Sequence, residues 1–186
     1  MIQVATRLGV RTAAAGSGGS MVTTGSGQSM GSRSWWCIIV NCMVDNTLRD
    51  VVRVSESALD PAALVALVSD PTAGAVVSFL GTVRDHSLGK TGVTHLVYEA
   101  YQEVVEAKIA ELVASARDTW PLIAVAVEHR VGRVEVGEPS VVVVVSSAHR
   151  PDAFAAARFL IDELKAKAPI WKQEHSPQGA EWIEGA

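Results

Sequence analysis

From residue 47 onward, apolar positions recur at two periods, one near a helical turn and one near every second residue, with Gly, Pro and polar clusters between them. Asp60-Pro61 opens the first helical stretch: an Asp cap precedes a proline whose missing N–H costs nothing at the first helical position. Leu64, Leu67 and Val68 then share one face, and the pattern predicts a stop near Asp70-Pro71. Residues 74–83 (GAVVSFLGTV) form a short run rich in Val and Phe, as expected of a buried strand. A polar loop over 84–92 follows, with Gly89 and Gly92 as breakers. Residues 93–100 alternate Val93, His95, Val97 and Glu99 against Thr94, Leu96 and Tyr98, which predicts a strand. Over 103–120, Val105, Ile109, Leu112, Val113 and Ala116 stand at helical spacing. Residues 123–131 and 140–147 read as two strands joined by the turn Glu135-Val136-Gly137-Glu138-Pro139. A third helix is predicted over 151–167, with Phe154, Ala157, Ile161, Leu164 and Ala168 as its buried stripe and Pro169 as its end.

Two strands joined by a tight turn pair antiparallel, and the helices are interspersed rather than strictly alternating. The pattern therefore predicts an α+β domain with a mostly antiparallel sheet and about three main helices. Residues 1–46 follow no such pattern. The stretch 13–34 is dominated by Gly, Ser, Ala and Thr without a sustained period, the composition of a low-complexity, disordered segment. The expected division is a dispensable extension over 1–46 and one folded domain over 47–186.

Net charge is -4, so the field of the whole molecule does not favour nucleic acid. An anion site must be a local basic cluster. Both cysteines, Cys37 and Cys42, fall in the N-terminal extension, which gives no disulfide framework and points to a reducing cytoplasm. No apolar run reaches the ~20 residues of a membrane span, and the front end lacks the build of a signal peptide.

Three stretches gather polar residues at the ends of apolar elements, where a scaffold presents functional groups. They are Gly81-Thr82-Val83-Arg84-Asp85-His86, Ser146-Ser147-Ala148-His149-Arg150, and the segment from Lys165 through Lys167 and Pro169 to Lys172. Arg84, His86, His149, Arg150, Lys165, Lys167 and Lys172 form a cationic set suited to phosphate or carboxylate. Singly, each such residue is more often a solvated end or a helix-dipole partner. Lys165 and Lys167 flank the third helix's stripe on opposite sides, and periodicity does not choose between them. The five histidines show no metal-ligand spacing, so no metal site is expected. A P-loop is absent, and Gly-x-Ser-x-Gly patterning occurs only in the low-complexity extension. Trp171 and Trp182 suit stacking on a planar ring or, more commonly, core or interface filling.

Phe79-Leu80-Gly81-Thr82-Val83-Arg84-Asp85-His86, then His129-Arg130-Val131-Gly132, Ser147-Ala148-His149-Arg150 and Leu164-Lys165-Ala166-Lys167-Ala168-Pro169-Ile170-Trp171-Lys172 closely resemble the large, catalytic subunit of molybdopterin synthase. The order and spacing agree, and the likeness covers roughly residues 48–184. It implies an α/β hammerhead fold and a homodimer of large subunits within a heterotetramer. Each large subunit would bind a small ubiquitin-like sulfur carrier whose C-terminal Gly-Gly ends in a thiocarboxylate. The implied substrate is cyclic pyranopterin monophosphate, which receives two sulfurs to become the dithiolene of molybdopterin; no resident cofactor is implied. Position by position, Lys165 matches the family's key catalytic lysine and Lys172 its second active-site lysine, and both would also contact substrate. Arg84, His149 and Arg150 match substrate-binding positions. A thiocarboxylate is already a sulfur nucleophile, so the folded region's lack of cysteine fits. A non-catalytic module for a ubiquitin-like partner, or a binder of phosphate ligands, would draw on the same cations.

Overall fold

The computed structural model describes residues 49–87 and 90–183; the expected extension over 1–46, with both cysteines, lies outside the described residues. Along the chain run β1 (Val51–Ser55), α1 (Pro61–Val68), β2 (Ala75–Thr82), β3 (His86–Ser87), β4 (Lys90–Thr91), β5 (His95–Ala100) and α2 (Gln102–Thr119). β6 (Leu122–Arg130), β7 (Gly132–Glu135), β8 (Pro139–Ser147), α3 (Arg150–Lys167), β9 (Ile170–Ser176) and β10 (Gly179–Ile183) complete it. The fold is α+β, and antiparallel pairing dominates.

The first sheet has the order β1-β6-β8-β2, with only β1 and β6 parallel. Its two central strands are buried on both faces. On one side, Val125, Val127, Val141, Val143 and Val145 pack against Val105 and Ile109 of α2 and Leu160 and Leu164 of α3. On the other, Ala124, Ala126, Val142 and Val144 meet Leu64 and Val68 of α1. A strand covered twice reads as an unbroken Val run, because both of its faces must leave water. The second sheet, β10-β9-β5-β7, is antiparallel throughout and has a smaller core of Val83, Val93, Leu96 and Val134.

Helix starts follow local chemistry. Asp60 caps α1, its Oδ1 accepting from the backbone N–H of Ala62 and Ala63 at 3.0 and 3.1 Å. Such a cap contributes about 1 kcal/mol. α3 ends where Pro169 forbids another turn, and the chain goes directly into β9.

Several expectations shift. The turn expected at Glu135–Pro139 is present, but it joins β8 to an unexpected strand, β7, which follows β6 and pairs with β5 in the second sheet. The presumed polar loop after β2 holds the short β3–β4 ladder. β1, β9 and β10 have no counterpart in the expected elements. Leu67 and Phe154, expected on buried stripes, are 48% and 63% exposed. In α3 the stripe that meets the sheet is Ala153, Ala156, Ala157, Leu160, Ile161 and Leu164, so Phe154 is turned off it. The alanines let the helix approach closely, which fixes its rotation.

Candidate functional site

Where α3 breaks into β9, a cavity of about 40 Å³ lies between the two sheets. Its lining includes His129, Ser140 and Val141 from the first sheet, Tyr98, Ile170 and Lys172 from the second, and Leu164, Lys165 and Ala168 around the end of α3. The break at Pro169 places Lys165 on one wall and Lys172 on another. Strand register does the rest: Tyr98 pairs directly with Lys172, and His129 with Val141.

The floor is polar but uncharged. The Tyr98 hydroxyl donates to Ser140 Oγ at 3.2 Å, and Ser140 donates to the Gly81 carbonyl at 3.1 Å. Burial pushes the Tyr98 phenol up, so it stays protonated. His129, only 4% exposed, is lowered to about 4, mainly by burial and further by the charge of Lys165. Its ring is therefore neutral near pH 7.

The charge near the cavity is mostly positive. Half-burial lowers the pKa of Lys172, and the nearby Lys165 and Arg84 add to this, while Glu174 opposes it. Glu174 is 8% exposed and accepts from Ser87 Oγ at 2.8 Å. A small space with neutral walls and converging cations suits an anion and a lysine that gives up its proton more readily than usual.

The structure thus brings Lys165 and Lys172 together on one cavity, keeps Arg84 off its lining but near enough for its charge to act on Lys172, and separates the other two. His149 and Arg150 are exposed at the opposite end of α3. Fifteen residues of helix separate Arg150 from Lys165, about 22 Å at 1.5 Å per residue. Lys167 is not part of the lining; it forms an i,i+4 ion pair with Glu163. His86 is exposed and contacts Asp85 at 2.6 Å. Trp171 and Trp182 are each 49% exposed, so neither fills a core in this chain.

A larger, open depression of about 370 Å³ is lined by Thr91, Val93, Ser176, Gln178, Gly179 and Ala180, with Glu174 and Glu181. It holds carboxylates and none of the expected cations, so it does not suit an anion. No grouping of three or more His, Cys, Asp or Glu able to hold a metal occurs among the described residues. Nor is any of their helices long and apolar enough to cross a membrane.

Sequence reasoning missed Tyr98, Ser140 and Glu174 as parts of the site and left His129 without a role. Only the pairing of β5 with β9 and of β6 with β8 would have exposed them.

Fold and cavity together define an α+β protein with a lysine-lined site at a sheet–sheet junction. A family model described as "MoaE protein" matches residues 54–167. The molybdopterin synthase catalytic subunit of Pyrococcus abyssi is 43% identical over 121 residues, 65% of this chain and 81% of that one. Catalytic subunit 1 of Mycobacterium tuberculosis is 41% identical over 70% of this chain and 88% of its own. Among solved structures, molybdopterin synthase from Staphylococcus aureus superposes with a TM-score of 0.67 at 31% identity, covering 71% of this chain and 96% of that one. The chain belongs to the MoaE family, the catalytic subunits of molybdopterin synthase, and is a sulfurtransferase of molybdenum cofactor biosynthesis.

Proposed function

We propose that the chain, working in the cytoplasm, transfers sulfur from the C-terminal thiocarboxylate of a small ubiquitin-like carrier to cyclic pyranopterin monophosphate, in two rounds that build the dithiolene. The carrying observation is the meeting of Lys165 and Lys172 on a cavity whose other walls are neutral, with the charge of Arg84 reaching Lys172 from beside it. An extended Gly-Gly tail has no side chains and fits a narrow opening. The sulfur adds to the pterin carbon in place of an oxygen that leaves as water, and water then cleaves the acyl–sulfur bond, so that sulfur stays on the pterin and the carrier leaves as a carboxylate. Lys165 stabilises charge developing on the acyl group or takes part as acid, base or transient nucleophile, with Lys172 beside it. Arg84 holds the substrate's phosphate.

His149 and Arg150 serve the same substrate from a second copy of the chain. β2 is an edge of the first sheet, with Val76 and Leu80 exposed at 39% and 42%. The start of β2 lies by Ala148, next to the head of α3, and its end leads into Arg84. Two β2 strands paired antiparallel about a two-fold axis would bring one copy's His149 and Arg150 toward the other's Arg84.

The test is a reaction of the purified chain with thiocarboxylated carrier and the pterin precursor. Dithiolene product that depends on the thiocarboxylate supports the reading; tight carrier binding without product would replace it with a binding module.

A further inference from the structure

We propose that His129 is the positioning residue for Lys165: its Nε2 lone pair, unpartnered among the described residues, is the acceptor to which the Lys165 amine turns when that amine is drawn over the cavity both residues line. The idea rests on Lys165 being the working lysine, and it concerns a residue to which neither the sequence motifs nor the cationic set gave a task.

The geometry of the ring carries it. His129 is buried on β6, yet it borders the same cavity as Lys165. Its Nδ1 lies 2.8 Å from the Arg130 carbonyl oxygen. A carbonyl only accepts, so Nδ1 bears the proton and Nε2 of the neutral ring is left as an acceptor. Tyr98 stands edge-on to the ring, with centroids 5.3 Å apart and planes at 76°, and is itself tied through Ser140 to Gly81. The imidazole is therefore locked in place, and no described residue donates to Nε2. Lys165, for its part, has no ion pair or hydrogen bond among the described residues, unlike Lys167 with Glu163. A ring needed only to fill space would not require a nitrogen acceptor beside an unpaired lysine.

The surroundings keep that acceptor available. Titratable groups that face the ring are Lys165 from α3 and Tyr98 from β5, with Lys172 from β9 on the same cavity wall; Arg84 and Glu174 act on Lys172. β8 contributes only Ser140 and Val141 to the lining. Burial opposes protonation of the ring most, and the charge of Lys165 adds to it. Near neutral pH the ring accepts; a protonated ring would repel Lys165.

The test reads Lys165 directly. The full chain is pulse-acetylated across a pH series, and mass spectrometry gives the acetylation midpoint of Lys165, with Lys167 as internal control. Losing an acceptor destabilises the ammonium form, so His129→Phe should lower the Lys165 midpoint by about one pH unit. His129→Gln, which restores an acceptor, should return it close to wild type. An unmoved midpoint in His129→Phe, or an equal shift in both variants, overturns the proposal. Should His129→Phe fail to fold by circular dichroism, the imidazole ¹⁵N shifts of His129 decide. The Nε2 signal should move downfield when Lys165→Met removes the donor, and a signal that stays put counts against the role. Neither readout needs carrier or pterin, so a chain that made no product would still test the histidine.

Discussion

Lys165 and Lys167 occupy the last turn of α3 two residues apart and are both exposed, but their neighbours differ. Lys165 borders the cavity and lies close enough to Lys172 and His129 to influence both. Lys167 is spent on an exposed pair with Glu163, worth only about 0.3–0.5 kcal/mol. In single-turnover assays with preformed carrier thiocarboxylate, Lys165→Ala should abolish product while leaving the fold intact. Lys172→Ala should be intermediate and Lys167→Ala mild. A dead Lys167→Ala beside an active Lys165→Ala would refute the assignment. His129 adds a stability effect with a definite sign. Its folded pKa of about 4 lies below the 6.5 of an ordinary histidine, so between these values the unfolded chain binds a proton that the native chain does not. Stability must fall as pH drops through that window, by about 3 kcal/mol if the shift is fully expressed. Urea titrations should show a shallower acid loss in His129→Gln than in wild type, and parallel slopes would show that the histidine is not the source. The sequence left the two lysines tied because helical angle alone places both at the stripe's edge. Choosing needs the packed neighbour, and for Lys165 that neighbour comes from β6, dozens of residues away.

Among the elements, legibility tracked how each strand is buried. α2 and α3 show their period because each buries one face against the sheet. β8 was found as an apolar run, but with both faces covered its valines carry no sign of which side meets α1 and which meets α3. β9 and β10 escaped notice because Trp171, Gln173 and His175 share a partly solvated face, and the segment has no apolar alternation to detect. β7 was hidden by its brevity between two longer strands. These omissions removed the second sheet, and with it the wall of the site that Tyr98 and Lys172 supply. At this scale the contact of β2's start with β8's end is the sensitive joint. A Cβ on Gly74 would come 2.3 Å from the Ala148 carbonyl oxygen, a backbone atom that cannot swing aside. Gly74→Ala should therefore cost about 1–3 kcal/mol, seen as a lower urea midpoint. At Gly81 the first obstacle is a side-chain methyl of Val141 at 2.7 Å, so Gly81→Ala should cost less. Equal midpoints for Gly74→Ala and wild type would mean that this joint opens freely.

For the whole molecule, the placement of the five expected substrate residues is what calls for a second copy. Lys165 and Lys172 share one cavity, with the charge of Arg84 acting on Lys172, while His149 and Arg150 stand at the head of α3, about 22 Å from Lys165 along the helix. No side-chain rotation spans that distance, so either these two residues serve something else or they act on a neighbour's cavity. A two-fold pairing gives the arithmetic that separates the cases. Lys165→Ala and Arg150→Ala chains, each inactive alone, should regain activity when mixed under conditions that exchange subunits. In a mixed dimer, one site joins the intact Lys165 of one chain to the intact Arg150 of the other, and the second site carries both lesions. With random exchange half the dimers are mixed and each has one good site, so about a quarter of wild-type activity should return. Lys165→Ala mixed with Lys172→Ala is the control, because both lesions fall in the same chain's cavity and no pairing repairs a site. If each chain's site were self-contained, neither mixture would recover anything beyond its parents, and the shared site would be ruled out even with sulfur transfer intact.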